Sequence, residues 1–371
     1  MHHMESADAF ADYRINLGGD GCYVAGLPGY PRNFSRDALL AGILAAHEQI
    51  ITNQLAISWK HQGDTLDPIT GEEPGKIHHE YPGFPLREPY LTTYNACDTT
   101  ALYLIAIELL GIINPSAQQL FIHSRPESID RAITYILSHV RDDIFWEFPP
   151  AGAPQYSLRV TYWKDSIVPS QRAQEEPHYP AAFALAHFQA ARGLLAATRL
   201  VNRPELMRLV ERMYKQGIRS FIKPSGFCVV QDKSGSLEQA SSDELHCLAY
   251  IPKDYLHLLP ITAIWHRAEP LITTAGIACM PQAISNQLTD TYHGHVVWIF
   301  EQAFLHYACT KFGLPDLAHV TQRCIPHIGD GQELVSVEPL VAPLGNTHQL
   351  WSVAARKYFE AAVSLRTIGG L

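Results

Sequence analysis

Two carboxylates that are far apart in the chain stand in settings that suit acid–base chemistry. Asp165 follows Tyr162 and Trp163, whose rings could exclude water from its carboxyl and keep it protonated near neutral pH. Glu333 could remain ionised and activate a water molecule. Cleavage of a glycosidic bond needs one protonated carboxylic acid and one ionised carboxylate, so this pair suggests glycoside hydrolysis.

Each carboxylate also has an ordinary structural interpretation. Asp165 could pair with Lys164 or cap a turn with Ser166, because structural ion pairs perturb carboxyl groups as catalytic sites do. Glu338, followed by Pro339, is an alternative to Glu333 as the base. The sequence alone does not decide whether Asp165 is catalytic or which of the two glutamates is the base.

Five short segments extend the pattern along most of the chain. They are 33–42, 75–82 together with 94–100, 163–166, 292–298, and 333–334 together with 349–354. In this order they resemble the motifs of amylo-α-1,6-glucosidases and of the related six-hairpin α-glycosidases, which include glycogen debranching enzymes. The chain departs from the family pattern at Gln332, Leu350 and His295, which leaves the substrate preference open.

The resemblance implies an all-α fold, an (α/α)6 toroid whose long loops form the rim of the active site. It implies inverting hydrolysis of an α-glucoside or related α-glycoside, with Asp165 as general acid and Glu333, preferred over Glu338, as general base. The expected substrate is an oligosaccharide or polysaccharide, and no cofactor or metal is expected. Residues 1–31 would be a lead-in segment and 32–371 a single catalytic domain. The substrate-binding residues that we expect are Arg36, Asp37, His79, Glu80, Tyr94, Asp98, Trp163, Lys164, Trp298, Gln349 and Trp351.

Several of these residues have competing explanations. Trp163, Trp298 and Trp351 could stack on the apolar faces of sugar rings, but buried tryptophans are also common in helical cores. Arg36 and Asp37 could face the substrate or form an ion pair at a helix start, where an acidic residue is favoured in any case. His79 and Glu80 could bind sugar hydroxyls. A metal site is the other interpretation, but no recognisable spacing supplies a third ligand.

The elements that would position these residues are mostly helices. Apolar residues at helical spacing predict helices over 36–57, 95–111, 126–141, 178–200, 203–222, 292–312 and 349–366. Helix starts are predicted near Pro126 and Pro204, with Ser124 and Asn202 as caps, and at the capping box 241–244. The long connections 60–92, 143–177 and 224–240 carry or adjoin the chemistry-bearing segments, which is typical of functional loops.

Composition excludes several classes of function. The chain has 371 residues, a net charge of −9 and 47% hydrophobic residues, which disfavours a nucleic-acid or anionic-membrane partner. Seven cysteines without a Cys-x-x-Cys pair predict a reducing, cytoplasmic environment. No apolar run approaches the length of a membrane span. A Gly-x-Ser-x-Gly elbow, a complete dinucleotide fingerprint and a phosphate loop are all missing from the sequence.

Three hypotheses from different classes remain. The first is the inverting α-glycosidase. The second is a sugar 2-epimerase-like isomerase on the same toroid, in which His79, His293 or His295 would transfer protons. The third is a toroid that binds glycans without turnover. Because one scaffold serves unrelated functions, the fold alone cannot choose among them.

Overall fold

The computed structural model describes residues 8–17, 19–83, 92–148, 160–165, 177–201, 203–288, 291–337 and 340–364. Most of these residues are helical. The helices are α1 (Ser35–Ala45), α2 (Glu48–Lys60), α3 (Thr99–Ile113), α4 (Pro115–Ser124), α5 (Pro126–Ser138), α6 (Ala184–Leu200), α7 (Pro204–Phe221), α8 (Asp243–Tyr250), α9 (Ile261–Ala268), α10 (Gln282–Ser285), α11 (Ile299–Phe312), α12 (Pro315–Thr321) and α13 (Leu350–Ser364).

Six helices pack side by side in a closed series, which we call the ring helices. They are α1, α3, α6, α8, α11 and α13; each contacts the next, and α13 contacts α1. Other helices flank them: α2 packs on α1 and α3, α7 on α6, and α12 on α11. Ring helix α3 is buried from Thr99 to Leu110, whereas flanking helix α7 buries one face. A helix that is apolar all round belongs in the centre of a protein, and an amphipathic one at its surface.

Proline explains several helix starts. The predicted starts at Pro126 and Pro204 are confirmed, because proline at the first position lacks an N–H that would be unpaired there in any case. The predicted cap at Ser124 is wrong, since Arg125 occupies the N-cap position without a side-chain hydrogen bond. Asn202 lies outside the described residues. The helix predicted from the 241–244 segment begins at Asp243.

Three predicted helices differ from the structure. The stretch 178–200 becomes helical only at Ala184, after the short strand Ala182–Phe183. The stretch 36–57 forms two helices, because Ala46 adopts a left-handed conformation with φ of 46° and ends α1. The side chain of His47 then caps α2 by accepting a hydrogen bond from the backbone N–H of Ile50. The stretch 292–312 becomes helical only at Ile299, because its earlier residues form a turn and a short strand.

Short strands occur in the connections, so the all-α expectation is correct for the main architecture and incomplete for the loops. The strands are β1 (Arg14–Leu17), β2 (Asp20–Tyr23), β3 (Gly26–Leu27), β4 (Asn33–Phe34), β5 (Glu80–Tyr81), β6 (Val140–Arg141), β7 (Ile144–Phe145), β8 (Ala182–Phe183), β9 (Cys228–Asp232), β10 (Gly235–Glu238), β11 (Val296–Trp298), β12 (Leu334–Ser336), β13 (Ala342–Leu344) and β14 (His348–Gln349). Antiparallel pairs form the sheets β11–β12–β13 and β8–β9–β10 and the two-stranded sheets β1–β2, β3–β14, β4–β5 and β6–β7. Strands β4, β8, β11 and β14 each lead directly into a ring helix.

The segment before residue 32 packs into the same hydrophobic core as the helices. Phe10, Tyr13 and Tyr23 are buried there. Strand β3 pairs with β14, with Gly26 opposite Gln349. The seven cysteines are buried, and none of them forms a disulfide. Among the described helices, none has both the length and the apolar character needed to cross a lipid bilayer.

Candidate active site

Polar and charged side chains gather at the N-terminal ends of the ring helices. A carboxylate is favoured there because the first turn of a helix carries partial positive charge. The residues at these ends are Asp37 in α1, Asp98 directly before α3, Asp243 in α8, Glu301 in α11 and Gln349 directly before α13. Closure of the ring brings these ends close enough for hydrogen bonds between segments that are distant in sequence.

Glu333 lies directly before β12 and is 2% exposed. Its Oε1 accepts hydrogen bonds from the Tyr292 hydroxyl at 2.5 Å and from Nε2 of Gln349 at 2.9 Å. Its Oε2 accepts from the backbone N–H of Asn346 at 2.6 Å. Three donors therefore fix the orientation of this carboxylate.

A pair of tyrosines extends from Glu333. The Tyr30 and Tyr292 hydroxyls are 3.2 Å apart. Burial, followed by the charge of Glu333, raises the pKa of Tyr292 far above its usual range. Burial also raises the pKa of Tyr30. Both phenols therefore stay neutral, and Tyr292 acts as a hydrogen-bond donor to the carboxylate.

Asp37 is the third residue of α1 and is 7% exposed. Burial raises its pKa well above its usual range, and the nearby charges of Glu333 and Asp165 raise it further, while Arg36 opposes them. The protonated form of Asp37 is therefore favoured at pH values where an exposed aspartate is ionised.

Asp165 is half-buried. Its charge acts on Asp37, Tyr30 and Glu80. Glu333 acts on Asp37 and Tyr30 as well. The charges of Asp165 and Glu333 thus act on two of the same side chains. Glu338, the alternative base, lies outside the described residues.

Arg36 joins the first ring helix to the segment that carries Asp165. Its Nε lies 3.0 and 2.8 Å from the two carboxylate oxygens of Asp98, and its Nη2 donates to the Thr161 carbonyl at 2.8 Å. Burial alone would lower the pKa of Arg36, but the charge and hydrogen bonds of Asp98 outweigh it and raise the pKa. Arg36 and Asp98 thus form a buried ion pair, with Arg36 positioned between Asp98 and Thr161.

The side chain of Lys164 points into the protein interior, toward Asp243. Its Nζ lies 3.1 Å from Oδ1 of Asp243 and donates to Ser241 and Ser242. Burial lowers its pKa, but the charges of Asp243 and then Glu301 raise it overall, so the ammonium stays charged. The protein thus uses the donors of Lys164, which was predicted to bind substrate.

The predicted stacking tryptophans form a buried aromatic layer. Trp298 stacks on His293 with 4.8 Å between ring centroids, and Trp351 stacks on Phe300 at 4.1 Å. Trp163 meets Trp298 edge to face at 5.6 Å. One face of Trp298 and one of Trp351 are therefore covered by protein rings. Stacking on a sugar stays a prediction for these three residues.

The remaining predicted residues lie around this group. Nε2 of His79 lies 3.4 Å from Nη1 of Arg36. Burial, then the charge of Arg36, lowers the pKa of His79 well below its usual range, so this imidazole is neutral. Glu80 forms an ion pair with Arg32 at 2.9 Å. Tyr94 donates its hydroxyl to the carbonyl of His61 at 2.9 Å, so that donor is used within the protein.

One group among the described residues has the ligand types and spacing to hold a metal ion. Asp243, His246 and Glu301 are all buried, and their donor atoms lie within 4.8 Å of one another. However, the ammonium of Lys164 lies 3.1 Å from Asp243 and 3.9 Å from Glu301. The ammonium of Lys164 thus already lies against both carboxylates and offsets one of their two negative charges.

Sequence reasoning missed three participants. Tyr292 was recognised only as part of a motif, although its hydroxyl contacts Glu333. Nothing in the local sequence distinguishes Tyr30 from the other tyrosines. Asn346 contributes its backbone N–H, which its residue type does not indicate.

Comparisons with known proteins agree with a fold used by sugar-processing enzymes. No protein-family model matches the chain, and no curated protein matches its sequence. Among solved structures, the GH63 mannosylglycerate hydrolase of Thermus thermophilus in complex with glucose is 11% identical, with a TM-score of 0.67 over 95% of this chain and 98% of that one. A D-mannose isomerase is 9% identical, with a TM-score of 0.60 over 95% and 94%.

A third solved structure, a wild-type glycosidase, is 13% identical, with a TM-score of 0.54 over 91% of this chain and 90% of that one. At such low identity the likeness establishes the fold and not the reaction. The chain therefore has the helical fold that these two glycosidases and this isomerase share.

Proposed function

We propose that the chain is an inverting glycoside hydrolase built on an (α/α)6 toroid, with residues 32–371 as the catalytic domain. Asp165 is the general acid and Glu333 the general base. The substrate is an α-glucoside or a related α-glycoside. The closed series of six ring helices supports the toroid. The orientation of the Glu333 carboxylate by three donors is the observation that carries the reaction. The charges of Asp165 and Glu333 also act on the same two side chains, Asp37 and Tyr30.

The reaction would proceed in one displacement. Asp165 gives its proton to the glycosidic oxygen, and the bond between that oxygen and the anomeric carbon breaks. A water molecule attacks the anomeric carbon from the opposite face while Glu333 takes one of its protons. The products are the free leaving group and a sugar of inverted configuration. One proton has left Asp165, and one has been taken up by Glu333.

Asp37 and Gln349 have supporting roles in this proposal. The neutral carboxyl of Asp37 binds a sugar hydroxyl of the substrate. Gln349 holds Glu333 through Nε2. Arg36 and Asp98 act indirectly, because Arg36 holds the Thr161 carbonyl at the start of the segment that carries Asp165.

The test begins with a panel that contains isomaltose, maltose, α-mannosides, mannosylglycerate and α-glucosyl fluoride. The anomeric form of the released sugar is followed by NMR. We expect inversion. Release of the retained anomer, or no turnover of any substrate in the panel, would refute the proposal, and binding without turnover would favour the glycan-binding hypothesis.

Two variants then assign the roles. A fluoride leaving group needs no protonation, whereas a sugar alkoxide does. Asp165→Asn should therefore lose most activity on the glycoside that the wild type cleaves and keep much of its activity on glucosyl fluoride. Glu333→Gln should lose both, because both reactions need the activated water. If both variants lost the same fraction of activity on each of the two substrates, the assignment of Asp165 as acid and Glu333 as base would be wrong.

A sugar isomerase is the second candidate. The observation that favours it is the presence of buried imidazoles beside the carboxylates, since His79 lies against Arg36 and His293 stacks on Trp298. Burial lowers the pKa of both imidazoles well below the usual range, so both are neutral. Asp165→Asn separates the two functions, because it should abolish hydrolysis of glycosides with a sugar leaving group and need not abolish epimerisation.

A further inference from the structure

Three consecutive side chains converge on one buried carboxylate. The Tyr162 hydroxyl donates to Oδ2 of Asp243 at 3.3 Å, and Nε1 of Trp163 donates to Oδ1 at 3.2 Å. Nζ of Lys164 lies 3.1 Å from the same Oδ1. These three residues directly precede Asp165. We call residues 160–165 the acid segment.

The contact between Asp243 and Lys164 is buried. Asp243 is 1% exposed and Lys164 is 2% exposed. A buried charge must be paired and hydrogen-bonded, and here the ammonium also contacts Ser242 at 2.8 Å. If the acid segment left α8, the Lys164 ammonium would be withdrawn, and the buried carboxylates of Asp243 and Glu301 would lose the cation that lies against both.

The start of the acid segment is held separately. The carbonyl of Thr161 accepts from Nη2 of Arg36 at 2.8 Å and from the backbone N–H of Cys97 at 3.0 Å. The segment is therefore fixed at Thr161 by groups near α1 and α3, and at the next three positions by Asp243 of α8. Asp165 is the first residue beyond these contacts.

We infer that Asp243 is a positioning residue for Asp165. Its hydrogen bonds to residues 162–164 set the backbone from which the Asp165 carboxyl reaches the glycosidic oxygen. This inference rests on the proposed function, in which Asp165 is the general acid. Proton transfer requires heavy atoms within hydrogen-bond distance, so a small displacement of this backbone impairs the acid step more than the water step.

The test compares Asp243→Asn with the wild type on two probes, isomaltose and α-glucosyl fluoride. The asparagine keeps the size of the side chain but cannot accept from all three donors. We expect kcat/KM on isomaltose to fall at least about tenfold more than on the fluoride, since general acid catalysis contributes roughly 10²-fold or more. An equal fall on both probes would overturn the inference.

Glu244→Gln is the matched control. Glu244 is the next residue of α8, is 2% exposed, and forms its ion pair with Arg267 instead of with the acid segment. Its loss removes a buried carboxylate from the same helix turn. We expect Glu244→Gln to change kcat/KM on the two probes by the same factor, whatever its effect on stability.

A second variant protects the test against misfolding, because Asp243→Asn leaves the Lys164 ammonium without its nearest carboxylate. The double variant Asp243→Asn, Lys164→Met removes both charges. Hydrogen exchange of the peptide spanning residues 160–165 is measured in all proteins. We expect faster exchange in both Asp243 variants than in the wild type and Glu244→Gln, and unchanged exchange would overturn the inference.

The exchange measurement also separates the two claims. If the wild type cleaves neither probe nor any other substrate of the panel, the proposed function fails, and faster exchange would still show that Asp243 orders the acid segment. If the wild type cleaves isomaltose and Asp243→Asn keeps the wild-type ratio of the two rates, the positioning role fails and the hydrolase stands.

Discussion

The hydroxyl of Tyr292 lies 2.5 Å from Oε1 of Glu333 and donates a hydrogen bond to it. Burial and the adjacent carboxylate hold the pKa of this tyrosine far above its usual range, so the phenol stays neutral and acts as the donor. The residue before ring helix α13, Gln349, donates to the same oxygen. The base of the proposed reaction is thus oriented by two side chains from different parts of the chain.

Tyr292→Phe removes one of these donors without changing the ring. A hydrogen bond to a charged group contributes about 1.5–3 kcal/mol, so we expect kcat to fall about ten- to hundredfold. The fall should be the same on isomaltose and on α-glucosyl fluoride, because both need the water that Glu333 activates. Tyr214→Phe is the control, since Tyr214 donates to the Tyr250 carbonyl. Unchanged fluoride hydrolysis in Tyr292→Phe would contradict this role.

Gly345 lies so close to Glu333 that a Cβ atom there would overlap Oε2 of the carboxylate. Gly345 has φ of 71°, and Gly313 has φ of 74° with open space around it. Alanine at either position costs about 1–2 kcal/mol of backbone strain. We expect only Gly345→Ala to lower kcat, by about a hundredfold, because only it displaces the base. Thermal unfolding measures the strain, and equal activity in the two variants would show that Glu333 tolerates displacement.

Arg36 and Asp98 form a buried pair, so removing one partner leaves an uncompensated charge. We expect Arg36→Met and Asp98→Asn each to destabilise the fold by about 3–5 kcal/mol. The double variant should lose clearly less than the sum of the two, because neither charge then remains. Urea unfolding of the four proteins measures this coupling. Additive losses would mean that the interaction between the two charges contributes little to stability.

Asp37 predicts a pH dependence of stability. Its folded-state pKa is raised above the usual 3.8, so the folded chain keeps a proton that the unfolded chain releases. Its contribution to stability is fully present below about pH 4 and is lost as pH rises toward the raised pKa, by about 1.4 kcal/mol per pH unit.

Asp37→Asn has no proton to lose at this position. We therefore expect the free energy of unfolding of the variant to rise relative to that of the wild type as pH rises from 4 toward 8. Below pH 4 the difference between the two free energies should stay constant. Denaturant unfolding at several pH values measures the difference. A difference that is constant across the whole range would show that Asp37 titrates normally in the folded chain.

The helical class followed from local patterns. Apolar residues at helical spacing and prolines such as Pro126 and Pro204 predict helices, because helix formation and its first turn depend on neighbours in sequence. The break between α1 and α2 could not be predicted in this way. Ala46 has a high intrinsic helix propensity, yet it is left-handed in the structure, where α2 packs back on α1 and α3.

The candidate acid and base were identified from their neighbours and from a family resemblance, and their roles stay predictions. The sequence could not indicate that Trp163 and Lys164, placed among the substrate-binding residues, are held by Asp243. A residue's type determines which hydrogen bonds it can form. Which partner it finds depends on how the surrounding core packs.

What the sequence determined by itself is the alternation of helices and loops and the positions of carboxylates beside aromatic residues. Only the tertiary structure decided which polar atoms meet. Tyr30 and Tyr292 are 262 positions apart, and their hydroxyls contact each other because the six ring helices close and join the two ends of the chain. Contacts of this range depend on the packing of the whole core, and no local pattern encodes them.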